Sequence, residues 1–136
     1  TFDDLGKHNA GKTVLVAGEL SEFRYSVIQD VAANIPYAFF EVVTFNDAKA
    51  VDLSTVDAVI IVDQNEAWMM MNGQTKRLMK KVEPSRIIPF ITAGDPDWTW
   101  KNEKLGIEAV TGPSEQPRKQ GMVDEITSRL KKILNP

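Results

Sequence analysis

The chain contains no cysteine, so disulfides and thiolate catalysis are excluded and a reducing compartment is allowed. It has a single histidine, His8, near its start. Zinc sites of the usual kind and Ser-His-Asp triads lose most of their support. There is no excess of basic charge. The formal net charge is −3, which argues against nucleic-acid binding, because that needs a basic surface to release counterions. No apolar run approaches the roughly 20 residues of a membrane span, and no basic-then-apolar signal segment opens the chain. The expectation is a cytoplasmic protein that binds neither nucleic acid nor membrane.

What is present is one domain's worth of chain. Its 136 residues suffice to bury a real core. Residues 1–11 are polar and read as a lead-in that packs on the domain edge, and residues 12–136 read as the domain. Residues 13–17 (TVLVA), closed by Gly18, form a continuous apolar run of the kind buried on both faces in a parallel sheet. Ser21 suits a helix cap, and Val27, Ile28, Val31, Ala32 and Ile35 recur at helical spacing until Pro36. Residues 38–45 are rich in aromatic and β-branched side chains and predict a second strand, followed by a short helical turn.

The run Ala58-Val59-Ile60-Ile61-Val62, between Asp57 and Asp63, predicts the central strand. A helix carrying Met71, Thr75, Leu78, Met79 and Val82 on its inner face follows and stops at Pro84. A fourth strand is expected over 86–93. Pro89 is awkward inside it, so a start at Pro89 or a bulge is expected. A turn at 94–97, a helix over 98–105, a strand over 107–111 and a last helix over 121–134 complete the chain. Alternation with short connections predicts an α/β, flavodoxin-like or receiver-like (βα)5 three-layer sandwich with a five-stranded parallel sheet.

Ligands of such sheets bind at the carboxyl ends of the strands. Three acids fall there: Glu19, Asp63 and Glu66. Clustered carboxylates can hold Mg²⁺, and a carboxylate can act as a nucleophile toward a phosphoryl group. Taken singly, each acid is as well explained by a strand end meeting solvent.

Read together, these positions resemble the receiver domain of response regulators over residues 12–134. Residues 16–24 (VAGELSEFR) look like the family's first strand and acid pair. Asp57 with the apolar run to Asp63 looks like its third strand, PFITA at 89–93 like its fourth, and GIEAVTGP at 106–113 like its fifth with the turn after it. The resemblance implies Asp63 as phosphoacceptor, Thr92 as the switch hydroxyl, and Glu19, Asp63 and Asn65 as ligands of Mg²⁺. It also departs from the family. Gly18 stands in place of the first acid, Gly112 in place of the lysine before the proline, and Ala109 in place of the switch aromatic. Phosphoryl transfer depends on positioning and charge neutralisation, and both are reduced.

The expectation is therefore an atypical receiver, or pseudo-receiver: a non-enzymatic signalling or localisation module that binds a protein partner or a second copy without phosphorylation and carries no cofactor. The alternatives are a phosphorylatable receiver using Asp63 and a degenerate Ras-like pseudo-GTPase. The latter lacks the second glycine and lysine of a phosphate loop after Gly18. A flavin-binding domain is a further rival, disfavoured by the acidic loop at 18–22 (GELSE), which would repel a phosphate. Trp68 and Met70, beside Met69 and Met71, and Trp98 with Trp100 are the apolar residues that suit an interface.

Overall fold

The computed structural model describes residues 2–65 and 71–135. Among these residues, four α-helices and seven strands run in the order β1 (Lys12–Gly18), α1 (Glu22–Asn34), β2 (Ala38–Val43), α2 (Phe45–Ala48), β3 (Ala58–Asn65), α3 (Gly73–Met79), β4 (Ile87–Ala93), β5 (Lys101–Asn102), β6 (Ile107–Glu108), β7 (Val110–Gly112) and α4 (Gln116–Leu134). Five strands form one parallel sheet in the order β2-β1-β3-β4-β7, and β5 and β6 form a small antiparallel hairpin. This is a flavodoxin-like α/β fold. The extra strand that a GTPase-like domain requires is not among the described strands of the sheet.

Alternation along the strands divides the core. Val14, Val16, Ile60, Val62, Ile88 and Phe90 face α1 and α4, whose inner stripes supply Val27, Ile28, Val31, Val123, Ile126 and Leu130. Leu15, Ala17, Val59, Ile61 and Ile87 face Phe45, Ala48, Leu78 and Met79 of α2 and α3. Both sheet faces are thus covered, which is why β3 and β4 read as unbroken apolar runs. Side-chain caps start α1, α2 and α3: Ser21 accepts from Arg24 N at 3.1 Å, Thr44 from Asp47 N at 3.1 Å and Asn72 from Gln74 N at 2.8 Å.

The lead-in lies along the outer edge of β2. Leu5 forms an antiparallel bridge with Phe40, with reciprocal backbone bonds of 2.9 and 2.8 Å. Asp4 Oδ1 accepts from Val42 N at 2.7 Å, and the Phe2 ring meets Tyr25 with centroids 4.8 Å apart.

Several elements differ from the sequence expectation. No helix forms over 98–105. That stretch is a loop leading into the β5–β6 hairpin, with Gly106 at a positive φ in its turn. Trp98, Trp100 and Leu105 do not fall on one helical stripe, and Ile107 with Trp100 instead packs the hairpin onto the α2/α3 face of the sheet. The fifth strand is split accordingly into β6 and β7. α4 begins at Gln116, not near Gly121, with Pro117 in its first turn where no N–H is needed. Pro89 lies inside β4 without ending it. β7 pairs only from Phe90 onward, so one side of β4 has no ladder partner at Pro89.

Candidate functional site

In the observed strand order the chain reverses direction of progress between β1 and β3, so the switch point lies where Gly18 meets Val62. β1 ends there, while β3 continues through Asp63, Gln64 and Asn65 paired with Ile91, Thr92 and Ala93 of β4. Three consecutive polar residues are therefore carried past the end of β1 on a strand still held by its neighbour. By alternation Asp63 points to the α3 side and Gln64 to the α1 side.

Asp63 is 2% exposed. Its Oδ1 accepts from Gln64 N at 2.8 Å and its Oδ2 from the Thr75 hydroxyl of α3 at 2.7 Å. Burial pushes its pKa up, the two hydrogen bonds oppose this, Glu19 adds to the rise, and Arg24 opposes it.

On the other face, Arg24 in the first turn of α1 turns inward and is 5% exposed. Its Nε donates to the Glu19 carbonyl at 2.9 Å, and its Nη1 donates to Thr92 Oγ1 at 2.9 Å and more weakly to Gln64 Oε1 at 3.4 Å. Burial lowers its pKa, and the attraction of Asp63 and then Glu19 counters that. A guanidinium remains charged under such conditions. The strand ends thus hold an internal cation bonded across α1, β3 and β4.

Thr92 lies at the end of β4 with its hydroxyl accepting from Arg24. Glu19 is exposed, and its backbone N donates to Val62 O at 2.9 Å. Asn65 is buried at the tip of β3. Trp98 and Trp100 are half-buried in the loop before the hairpin. Glu66, Trp68 and Met70 lie outside the described residues.

Among the described residues no group of three or more His, Cys, Asp or Glu side chains is placed to hold a metal. Gly18, where the receiver pattern has an acid, cannot carry a side chain. Its φ is +138°, and a Cβ there would stand 1.9 Å from the Val62 carbonyl oxygen. Among the described residues, the strand ends thus lack the carboxylate cluster that Mg²⁺ favours.

Arg24 is the buried strand-end residue that the sequence did not single out. The signal was there: Arg24 precedes Val27, Ile28 and Val31 by three, four and seven positions, on the buried stripe of α1. Thr75 was expected on the inner face of its helix, but its bond to Asp63 was not.

Beside this network an open groove of about 800 Å³ runs over the ends of β1 and β2, with Glu19, Asp47, Phe45 and Gln74 in its lining. No helix among the described residues is long and apolar enough to cross a membrane.

No protein-family model matches the chain, and no curated protein matches it. Its fold is matched among solved structures. An archaeal flavodoxin aligns over 91% of this chain and 99% of its own, with a TM-score of 0.54 at 14% identity. The lysine decarboxylase LdcF of Francisella novicida aligns over 93% of this chain with a TM-score of 0.55 at 9% identity, and the match spans 18% of the decarboxylase. At these identities the likeness establishes the flavodoxin-like fold.

Proposed function

We propose that the chain is a receiver-like interaction module that works without phosphorylation: a signalling or localisation domain rather than an enzyme. One observation carries the reading. The Arg24 guanidinium occupies the strand-end site, bonded to Thr92 and within electrostatic reach of Asp63 and Glu19. In a phosphorylatable receiver a metal ion supplies the positive charge, and the hydroxyl at the Thr92 position is free to follow the phosphoryl group. Here the charge is built in and the hydroxyl is already engaged. Asp63 is 2% exposed, and each of its oxygens already accepts one hydrogen bond, which leaves little of the carboxylate open to a donor from solution.

A flavin-phosphate reading finds little support in the loop after β1. Its hydroxyl, Ser21, is committed to capping Arg24 N, and Glu19 and Glu22 flank it.

The test is incubation with Mg²⁺ and a small phosphodonor such as acetyl phosphate, followed by intact mass. The expected result is an unmodified chain. A stable gain of one phosphoryl group that disappears in Asp63→Asn would overturn the reading in favour of a working phosphoacceptor.

A further inference from the structure

β7 is the last strand of the main sheet, and among the described strands none pairs with its outer side. The chain finishes the main-chain groups just before it: Ala109 N donates to Trp100 O at 2.9 Å, and the Glu108 carbonyl accepts from Arg129 Nη1. Val110–Gly112 is left as an open edge. Unpaired strand edges are templates for pairing with another chain.

This edge opens into a groove of about 440 Å³ against α4, lined among others by Pro96, Thr111, Arg118 and Gly121. Gly121 sits in the interior of α4, where glycine weakens a helix relative to alanine, yet a Cβ there would meet nothing within 4 Å. Nothing in this chain requires glycine at that point, and the space it leaves lets another backbone come close.

The charges at the two ends of the groove are opposite and unspent. Arg118, in the first turn of α4 and so near the carboxyl end of β7, has no ion-pair partner among the described residues, and neither has exposed Glu108 at the amino end. The other two charges in the groove, Arg129 and Glu125, already pair at 2.8 Å.

We propose that the occupant of this edge is a second copy of the chain, β7 pairing antiparallel with β7 across a twofold axis. Antiparallel pairing sets the carboxyl end of each strand against the amino end of the other. Each Arg118 is thereby carried toward the Glu108 of the second copy, twice over by symmetry. The two α4 helices approach across the axis at Gly121. The proposal deepens the reading of the chain as an interaction module by naming its partner. It does not depend on Asp63 chemistry, so a phosphorylated but dimeric protein would overturn only the earlier reading.

The test is sedimentation velocity over a dilution series for the unaltered chain, Arg118→Glu, Glu108→Arg and the double variant. The expected pattern is a dimer that dissociates on dilution, monomers at the same concentrations for each single reversal, and a dimer restored in the double variant. Gly121→Leu serves as an independent block: its Cβ meets nothing within 4 Å in the protomer and its side chain projects from an exposed position, and it is expected to abolish the dimer while preserving or raising Tm. Amide exchange at Val110–Gly112 should slow as the dimer forms. A monomer at every concentration would overturn the proposal, as would a dimer indifferent to both single reversals or a double variant that stays monomeric.

Discussion

Arg24 Nη1 donates to Thr92 Oγ1 at 2.9 Å, joining the first turn of α1 to the penultimate residue of β4 across 68 positions of sequence. Both groups are buried, and the Arg24 side chain takes a further acceptor from the Glu19 carbonyl. Removing the guanidinium leaves the Thr92 hydroxyl and two carbonyl-type acceptors without their donor. Arg24→Met is expected to lower unfolding free energy by about 2–3 kcal/mol, since a hydrogen bond to a charged group is worth about 1.5–3 kcal/mol. Arg24→Lys should recover only part of this, because one ammonium cannot reproduce the planar fork. Urea denaturation of the three proteins checks both statements.

The ionisation of Asp63 gives stability a pH signature. Its folded-state pKa is raised above the ordinary value of 3.8, with burial as the leading cause. Between 3.8 and the raised value the native state holds a proton that the unfolded chain has lost, so this group's contribution to stability falls as pH rises through that window. Asp63→Asn removes the titration and keeps one oxygen as acceptor. The stability of Asp63→Asn relative to the unaltered chain should therefore grow as pH rises through the window and level off above it. Chemical denaturation at a series of pH values, compared pairwise so that other groups cancel, reads this directly. A difference that shrinks with rising pH would contradict the assigned cause.

Thr75 is fully buried and donates to Asp63 Oδ2 at 2.7 Å. Thr75→Val keeps the shape and deletes the donor. It is expected to cost about 1.5–3 kcal/mol at neutral pH, where the carboxylate is left short of a partner. The loss should be smaller in acid, where Asp63 is protonated. It should also loosen α3, visible as faster amide exchange over Gly73–Met79.

Gly18 is a position where only glycine fits. A Cβ would stand 1.9 Å from the Val62 carbonyl oxygen, on a backbone whose φ is +138°. Gly18→Ala should exceed about 4 kcal/mol of destabilisation, in the range reserved for strain and overpacking at special sites. Gly94→Ala is the control, since a Cβ there meets nothing within 4 Å, and its Tm should be almost unchanged.

The sheet was legible in the sequence because its strands are buried on both faces and so appear as unbroken apolar runs, VLVA and AVIIV above all. Asp63 stood out for the same reason, as a charge ending such a run. Ser21 was legible as a cap because its chemistry is local. Arg24 and Thr75 were not, because their roles depend on partners 68 and 12 positions away that only the folded sheet brings near. The misplaced helix over 98–105 has a physical reason too. With tryptophans two apart and Gly106 closing a turn, the segment has no apolar stripe to bury, and Ile107 and Trp100 reach the core from a hairpin instead. The early start of α4 was hidden by reading Gly121 as a boundary, although a glycine within a helix needs only open space beside it.

The bridge between Leu5 and Phe40 has a consequence for how many neighbours the sheet can accept. It covers the β2 edge with the chain's own lead-in, while no described strand covers β7 at the opposite edge. A sheet with two open edges can propagate without limit, as fibrils do. With one edge closed from within, the described residues leave one edge, at β7, for a further strand, and the proposed pairing there would be terminal, with no second edge from which to grow.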